Sequence, residues 1–308
     1  MSSAAPKVFT SPLTREQADT LEGILREDGF RFEPRPYTLF FAQKGKVSVA
    51  VYEKGPKVVV QGRDSPDFIT FILEPRVLGE AKVGYEDVHH PERFEPHFGI
   101  DESGKGDFFG PLVIAGVYVD GIVAREFLDA GVTDSKRIGS DARIRALAAV
   151  IRKSRTAQTL IVIPPQKYNQ LIEKMGNVNR LLAWGHARAI ENLCAERPDC
   201  PRALSDKFAN VHVLERALMA QGRKLRLDQQ TKAESDYAVA AASILAREAY
   251  IDWMDAASKR VGVHLPRGVS EAVKSAARQV VERGGAEALA PLAKMHFKTF
   301  EEVLSGPR

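Results

Sequence analysis

Gly99-Ile100-Asp101-Glu102-Ser103-Gly104-Lys105-Gly106-Asp107-Phe108-Phe109-Gly110-Pro111-Leu112 is the stretch on which the reading of the fold turns. Gly99 to Asp101 reads as the entry of a strand, and Pro111 to Val119, rich in Val and Ile, as a buried strand. Two adjacent carboxylates at the end of an apolar strand raise each other's pKa, and a nearby cation relieves them. A divalent metal is the natural choice, with hard oxygen ligands suiting Mg or Mn. The Gly-Lys-Gly that follows frees the backbone to approach a phosphate or sugar closely, with Lys105 as a point charge. The bland alternative is a strand ending in a polar turn whose acids face water.

Outward from this stretch, strands and helices alternate. Asp141 to Ser154 has helical periodicity through Ile144, Leu147 and Ile151, and Leu160 to Pro164 reads as a strand. Asn179 to Glu196 and Ala238 to Ala257 are alanine-rich helices, and Asn210 to Leu214 reads as a short strand leading to a helix through Leu218. The alternation predicts an α/β domain. Asp206 falls just before Phe208 and the strand expected through Val213, from where it could project towards the first acids. Glu234 and Asp236 precede the small-residue run Ala240-Ala241-Ala242-Ser243-Ile244. Three or four carboxylates converging from separate elements are what two-metal phosphoryl chemistry requires.

The amino-terminal part has another grammar. Thr14 with Gln17 forms a capping-box pattern ahead of Leu21, Ile24 and Leu25, predicting a helix to Glu27. Tyr37 to Ala42, Lys46 to Tyr52 and Lys57 to Gln61 read as an antiparallel meander. Ser65 as N-cap and Pro66 at the first helical position open an apolar helix. These make a small α+β domain over residues 1–84, followed by a linker over 85–97 and an α/β domain over 98–308. A chain of 308 residues suits two compact units.

Composition narrows the classes further. The formal charge is +4, and residues 1–95 carry slightly more acid than base, so the positive excess lies in the rest of the chain and permits a polyanionic partner. Cys194 and Cys200 lack the companions of a zinc site and read as plain thiols. No apolar run approaches the roughly 20 residues of a membrane span, and the start lacks a secretory pattern, so a cytoplasmic protein with no membrane association is expected. His89, His90 and His97 read as solvated loop histidines, His186 and Trp184 as packing residues, and Lys44 and Lys46 as a hairpin tip that could meet phosphate.

Four strings carry a resemblance: Asp101 to Leu112, Thr133-Asp134-Ser135-Lys136, Asn177 to Trp184, and Thr231-Lys232-Ala233-Glu234 through Ala240 to Ile244. Together they resemble the ribonuclease HIII family of bacterial type 2 ribonucleases H, over residues 98–297. The small domain, including Val58 to Gly62, resembles that family's substrate-binding domain, similar in fold to one repeat of the TATA-binding protein. The resemblance implies an RNase H-like catalytic domain cleaving the RNA strand of an RNA/DNA hybrid. It further implies Asp101, Glu102, Asp206 and Glu234 as a quartet holding two Mg2+ or Mn2+ ions, one for the attacking water and one for the leaving 3′ oxygen. Products would carry 5′-phosphate and 3′-hydroxyl ends. Backbone groups of Gly104, Lys105 and Gly106 would meet the 2′-hydroxyl, and Ser135 and Lys136 a phosphate. Lys207 departs from the usual uncharged neighbour of the third acid. Glu234 is favoured over Asp236, which reads as a helix-start acid. His296-Phe297-Lys298 matches the family's carboxy-terminal signature without an assigned role. A monomer without obligate protein partner is expected. Two other readings stand: ribonuclease HII-like nicking at single ribonucleotides embedded in DNA, and a non-catalytic binder with structural metal.

Overall fold

The computed structural model describes residues 8–79, 90–206, 211–218, 222–230 and 233–305. The chain divides into two compact units, Met1–Glu92 and Arg93–Arg308.

The first unit contains β1 (Val8–Pro12), α1 (Arg15–Glu27), β2 (Arg31–Glu33), β3 (Thr38–Lys44), β4 (Val47–Tyr52), β5 (Lys57–Gly62) and α2 (Ser65–Phe68), which continues as π-helical turns to Leu78. The sheet runs β1-β5-β4-β3-β2 and is antiparallel throughout. The expected capping box is present: Gln17 N–H donates to Thr14 Oγ1 and Thr14 N–H to Gln17 Oε1. Leu21 and Leu25 of α1, Val49 and Val51 of β4, Val58 and Val60 of β5, and Ile69 and Leu73 form the core. Two features correct the sequence reading. Asp64, not Ser65, holds the N-cap position of α2, and the Ser65 hydroxyl donates to Gly62 O at 2.7 Å. Strands β1 and β2 extend the meander at both edges; they are short and punctuated by Ser, Pro and charge, so pairing to β5 and β3, not composition, makes them strands.

The second unit is a three-layer α/β body. Its sheet is ordered β10-β9-β6-β7-β8, with β6 (His97–Ser103), β7 (Leu112–Val119), β8 (Gln158–Ile163), β9 (Arg202–Asp206) and β10 (Arg226–Gln230). β6, β7 and β8 are antiparallel neighbours, whereas β9 lies parallel to β6, and β10 parallel to β9. The helices are α3 (Gly121–Ala130), α4 (Asp141–Lys153), α5 (Pro165–Met175), α6 (Val178–Glu196), α7 (Val211–Ala217), α8 (Tyr237–Val261), α9 (Glu271–Gly284) and α10 (Lys298–Leu304). Every residue of β7 is buried because alternate side chains serve two cores. Val113, Ala115 and Val117 join α3, α4, α8 and α9, while Leu112, Ile114 and Tyr118 join α5, α6 and α7.

The strand expected over Asn210 to Leu214 is a helix from Val211 onward, with residues 207–210 outside the described set. Val211 and Val213 suggested a strand, but Leu214 and Leu218, four apart, are buried in the core shared with α6, which rewards a helical face. The strand place goes instead to β9, and its outer neighbour β10 is too polar to announce itself.

Candidate active site

Strand geometry separates the two leading acids. Asp101 and Glu102 are consecutive on β6, so their side chains leave opposite faces. Asp101, on the α8 face, is hydrogen-bonded by Ser243 of that helix and accepts the Glu102 backbone N–H at 2.8 Å. Glu102, on the α6 face, accepts from His186 Nε2 at 3.1 Å and lies 3.7 Å from Lys105 Nζ. Both reach one pocket of about 470 Å³ because β6 ends there. The two acids also differ electrostatically. Burial and the neighbouring Glu102 charge push Asp101 up to about 7, against the pull of the Glu102 N–H, Ser243 and Lys136. Burial also raises Glu102, but the His186 bond with the charges of His186, Lys105 and Lys136 outweighs it, holding that carboxyl below its ordinary value.

Asp206 closes β9, one step past the last register pair Ile100↔Ser205, and lines the same pocket. It therefore ends a strand instead of preceding one, as the sequence reading had it. Parallel pairing of β9 with β6 is what brings their carboxyl ends together. Glu234 sits in a 3-10 turn, Ala233–Ser235, between β10 and α8, anchored by Ala233 packing on Leu204 and Val239; its side chain is outside the described set. Among the described residues, no group of three or more His, Cys, Asp or Glu is already drawn together as a ligand set. Asp101, Glu102 and Asp206 nonetheless supply carboxylate oxygens from two strand ends, a donor set suited to a hard divalent cation.

Asp236 is the N-cap of α8. Its Oδ1 accepts the N–H groups of Ala238 at 2.9 Å and Val239 at 3.2 Å, and both its oxygens lie 2.9 Å from His97 Nε2. His97 is fully buried as the first residue of β6, with Nδ1 2.7 Å from Glu95 O, so it is no loop histidine. His90 is partly exposed near Glu92, and His89 lies outside the described residues.

The turn after β6 is held in an unusual backbone state. Gly104 has φ +84, and a Cβ there would stand 2.2 Å from Pro111 O, so only glycine fits. Lys105, Gly106, Ser135 and Lys136 line the same pocket, with Arg247, Tyr250 and Arg267 forming further wall. Ser135 is buried, its hydroxyl shared with Ser243 at 2.6 Å, and Arg247 donates to its carbonyl. Lys136 is exposed, its N–H accepted by Asp134 Oδ1 at 3.0 Å. Sequence reasoning missed His186, Ser243, Arg247 and Arg267. His186 was visible only as a histidine on an apolar helix, and Ser243 as one polar residue in an alanine run.

Cys194 and Cys200 are free and buried, and burial pushes both thiols up to about 11, which leaves them unreactive. The Lys44 ammonium donates to Asp28 O at 2.5 Å, tying the hairpin to the end of α1. No helix among the described residues is long and apolar enough to cross a membrane.

Known proteins share this arrangement of chain. A family model described as ribonuclease HII matches residues 98–300. The chain is 41% identical over 304 residues to the ribonuclease HIII of Protochlamydia amoebophila (strain UWE25), covering 99% of this chain and 98% of that one. It is 39% identical over 303 residues to the ribonuclease HIII of Chlamydia pneumoniae, covering 98% and 99%. The crystal structure of Bst-RNase HIII in complex with Mn2+ matches with a TM-score of 0.67 at 25% identity, covering 97% of this chain and 98% of that chain.

Proposed function

The chain belongs to the ribonuclease HIII family, and from that premise we propose that it is an endonuclease hydrolysing the RNA strand of RNA/DNA hybrids, leaving 5′-phosphate and 3′-hydroxyl ends. Its catalytic unit has the α/β RNase H-like fold. The observation that carries the proposal is one pocket in which Asp101, Glu102 and Asp206 face Lys105, Lys136, Arg247 and Arg267. Acids there suit cations, and bases around them suit a phosphate backbone.

Asp101, Glu102, Asp206 and Glu234 would hold two divalent ions, Mg2+ or Mn2+. The fit is supported by Asp101, whose desolvated carboxyl beside a second acid is a poor anion until a cation is near. When bound, such ions supply charge for an attacking water and for a leaving oxygen. The protein's own residues orient and select. Lys136 offers its ammonium to a phosphate, and Ser135 offers a hydroxyl now shared with Ser243. The backbone of Gly104, Lys105 and Gly106 lines the same pocket, where it would meet a 2′-hydroxyl, the group that distinguishes RNA from DNA. The five-stranded antiparallel sheet of the small unit supports its reading as a TATA-binding-protein-like substrate-binding domain. A monomer working on hybrids in the cytoplasm completes the proposal.

A labelled RNA/DNA hybrid incubated with the protein and Mg2+ should yield RNA fragments with 3′-hydroxyl ends, and none in excess chelator. Robust cutting in chelator would sink the two-metal reading. A duplex carrying a single ribonucleotide should be cut far less readily than one with a ribonucleotide run; the opposite preference would favour nicking at isolated ribonucleotides.

A further inference from the structure

We propose that His186 is the positioning residue for Glu102, holding one carboxylate oxygen from behind so that the other is presented to the cation site. The inference rests on the metal-dependent reading above and adds a function for α6, which that reading leaves unused.

Glu102 points away from Asp101, toward the helical layer that contains α6, and its side chain has three rotatable bonds that must be frozen for it to act as a ligand. Among the described residues, Lys105 and His186 lie against it. Lys105 reaches to 3.7 Å from a partly exposed loop position and is a weak restraint. His186 is fully buried, and its Nε2 lies 3.1 Å from Glu102 Oε2; an ionised carboxylate only accepts, so Nε2 carries the hydrogen. The imidazole is itself fixed by how closely α6 lies on the sheet. A Cβ at Gly185 would stand 2.7 Å from Ile114 Cδ1, so α6 lies on β7 at a distance that a larger residue could share only if the Ile114 side chain shifted. Ala183 and Ala187 are likewise small and buried beside it. A histidine that merely fills a core has no need of a carboxylate that faces the pocket. Groups that orient metal ligands in this way are typically worth 10–100-fold in metal affinity.

The test uses the full chain and Mn2+ alone, titrated calorimetrically without nucleic acid. His186→Phe keeps the ring volume and removes the donor, whereas His186→Gln keeps an N–H at similar reach. We expect His186→Phe to weaken Mn2+ binding by about 10–100-fold, and His186→Gln to recover most of it. With saturating metal, the KM for hybrid should stay within about twofold in both variants, because His186 acts through Glu102 and not on substrate. Unchanged Mn2+ affinity in a folded His186→Phe protein, or equal losses in both variants, would overturn the proposal. Should His186→Phe fail to fold, the wild-type chain still decides: the imidazole nitrogen resonances of His186 should shift on adding Mg2+, and unmoved signals refute the coupling. A wild-type chain that binds Mn2+ but leaves hybrids uncut overturns the nuclease reading while leaving this proposal standing.

Discussion

Asp101 and Glu102 show how two identical functional groups, one peptide apart, acquire opposite tendencies from the face of the strand they occupy. Asp101 is raised to about 7 by burial and by its neighbour, while Glu102 is held down by its donors. The sign of the stability effect follows from linkage. Between about pH 4 and pH 7 the folded protein retains a proton on Asp101 that the unfolded chain has released, so stability falls as pH rises through that window. The whole shift corresponds to on the order of 4 kcal/mol. In chelator, the wild-type protein should therefore melt lower at pH 8 than at pH 5 by more than an Asp101→Asn variant does, and Mg2+ should restore much of the difference. Equal pH dependence in both proteins would show that Asp101 is not the strained group. The same variant should lose cleavage while binding hybrid within a few fold of wild type, measured in a filter-binding assay. A second residue-scale contrast concerns the acids flanking α8. Asp236 caps the helix and pairs with His97, so Asp236→Asn should lower the melting temperature by an amount equivalent to about 1–3 kcal/mol and cost little activity. Glu234→Gln should do the reverse, cutting the rate by orders of magnitude at unchanged melting temperature. The opposite pattern in paired kinetics and melts would transfer the ligand role to Asp236.

At the scale of elements, the carboxy-terminal segment acquires the role its sequence withheld. Lys294 is fully buried, and its ammonium donates to the carbonyls of Asp107 at 2.9 Å and Gly110 at 2.7 Å, with Phe109 O at 3.4 Å. Its backbone N–H bonds Phe108 O at 2.8 Å, Phe109 bridges Ala293, and the ring of Phe297 packs on Phe108. The segment thus buttresses the far end of the turn that begins at Gly104. Burial pulls the Lys294 ammonium down to about 7 against the charge of Asp107, and this ring of carbonyls helps to make a buried lysine tolerable there. Lys294→Met would leave these acceptors without their donor in the core. It should cost about 2–5 kcal/mol in chemical denaturation; a loss below about 1 kcal/mol would show that the carbonyls find other partners. Helix α8 works by the opposite means: Ala238, Ala240, Ala241 and Ala242 are buried and small, which lets the helix carrying Ser243 lie against the strand carrying Asp101.

For the whole molecule, the presence of two units with separate cores leads to a prediction about the division of labour. The first unit has its own hydrophobic centre between α1, the sheet and the turns after α2, so its removal need not unfold the second. If it contributes phosphate contacts, a protein lacking residues 1–90 should show a KM for hybrid raised much more than its kcat is lowered, with a shallower dependence of binding on salt. Hybrid binding as tight as that of the full chain at moderate salt would assign the unit another task.

What the amino-acid sequence makes legible by itself is local. The capping box at Thr14, the meander, the buried strand through Val119, the alanine-rich helix from Ala238 to Ala257 and the carboxylate pair at Asp101 each announce themselves within one contiguous stretch of chain. Their signals are periodicity and turn chemistry, which need no distant partner. Strands β2 and β10, the helical state of Val211 to Ala217, and the placement of Asp206 at a strand end did not announce themselves. Each depends on a neighbour far away in sequence: β3 for β2, β9 for β10, α6 for Leu214, and β6 for Asp206. The same holds for the surroundings of the site. His186 is 84 positions from Glu102, His97 is 139 from Asp236, and Ser135 is 108 from Ser243. Residue type names a donor or an acceptor, but which acceptor a buried donor meets is settled by strand pairing and helix packing, because only folding brings the two within 3 Å.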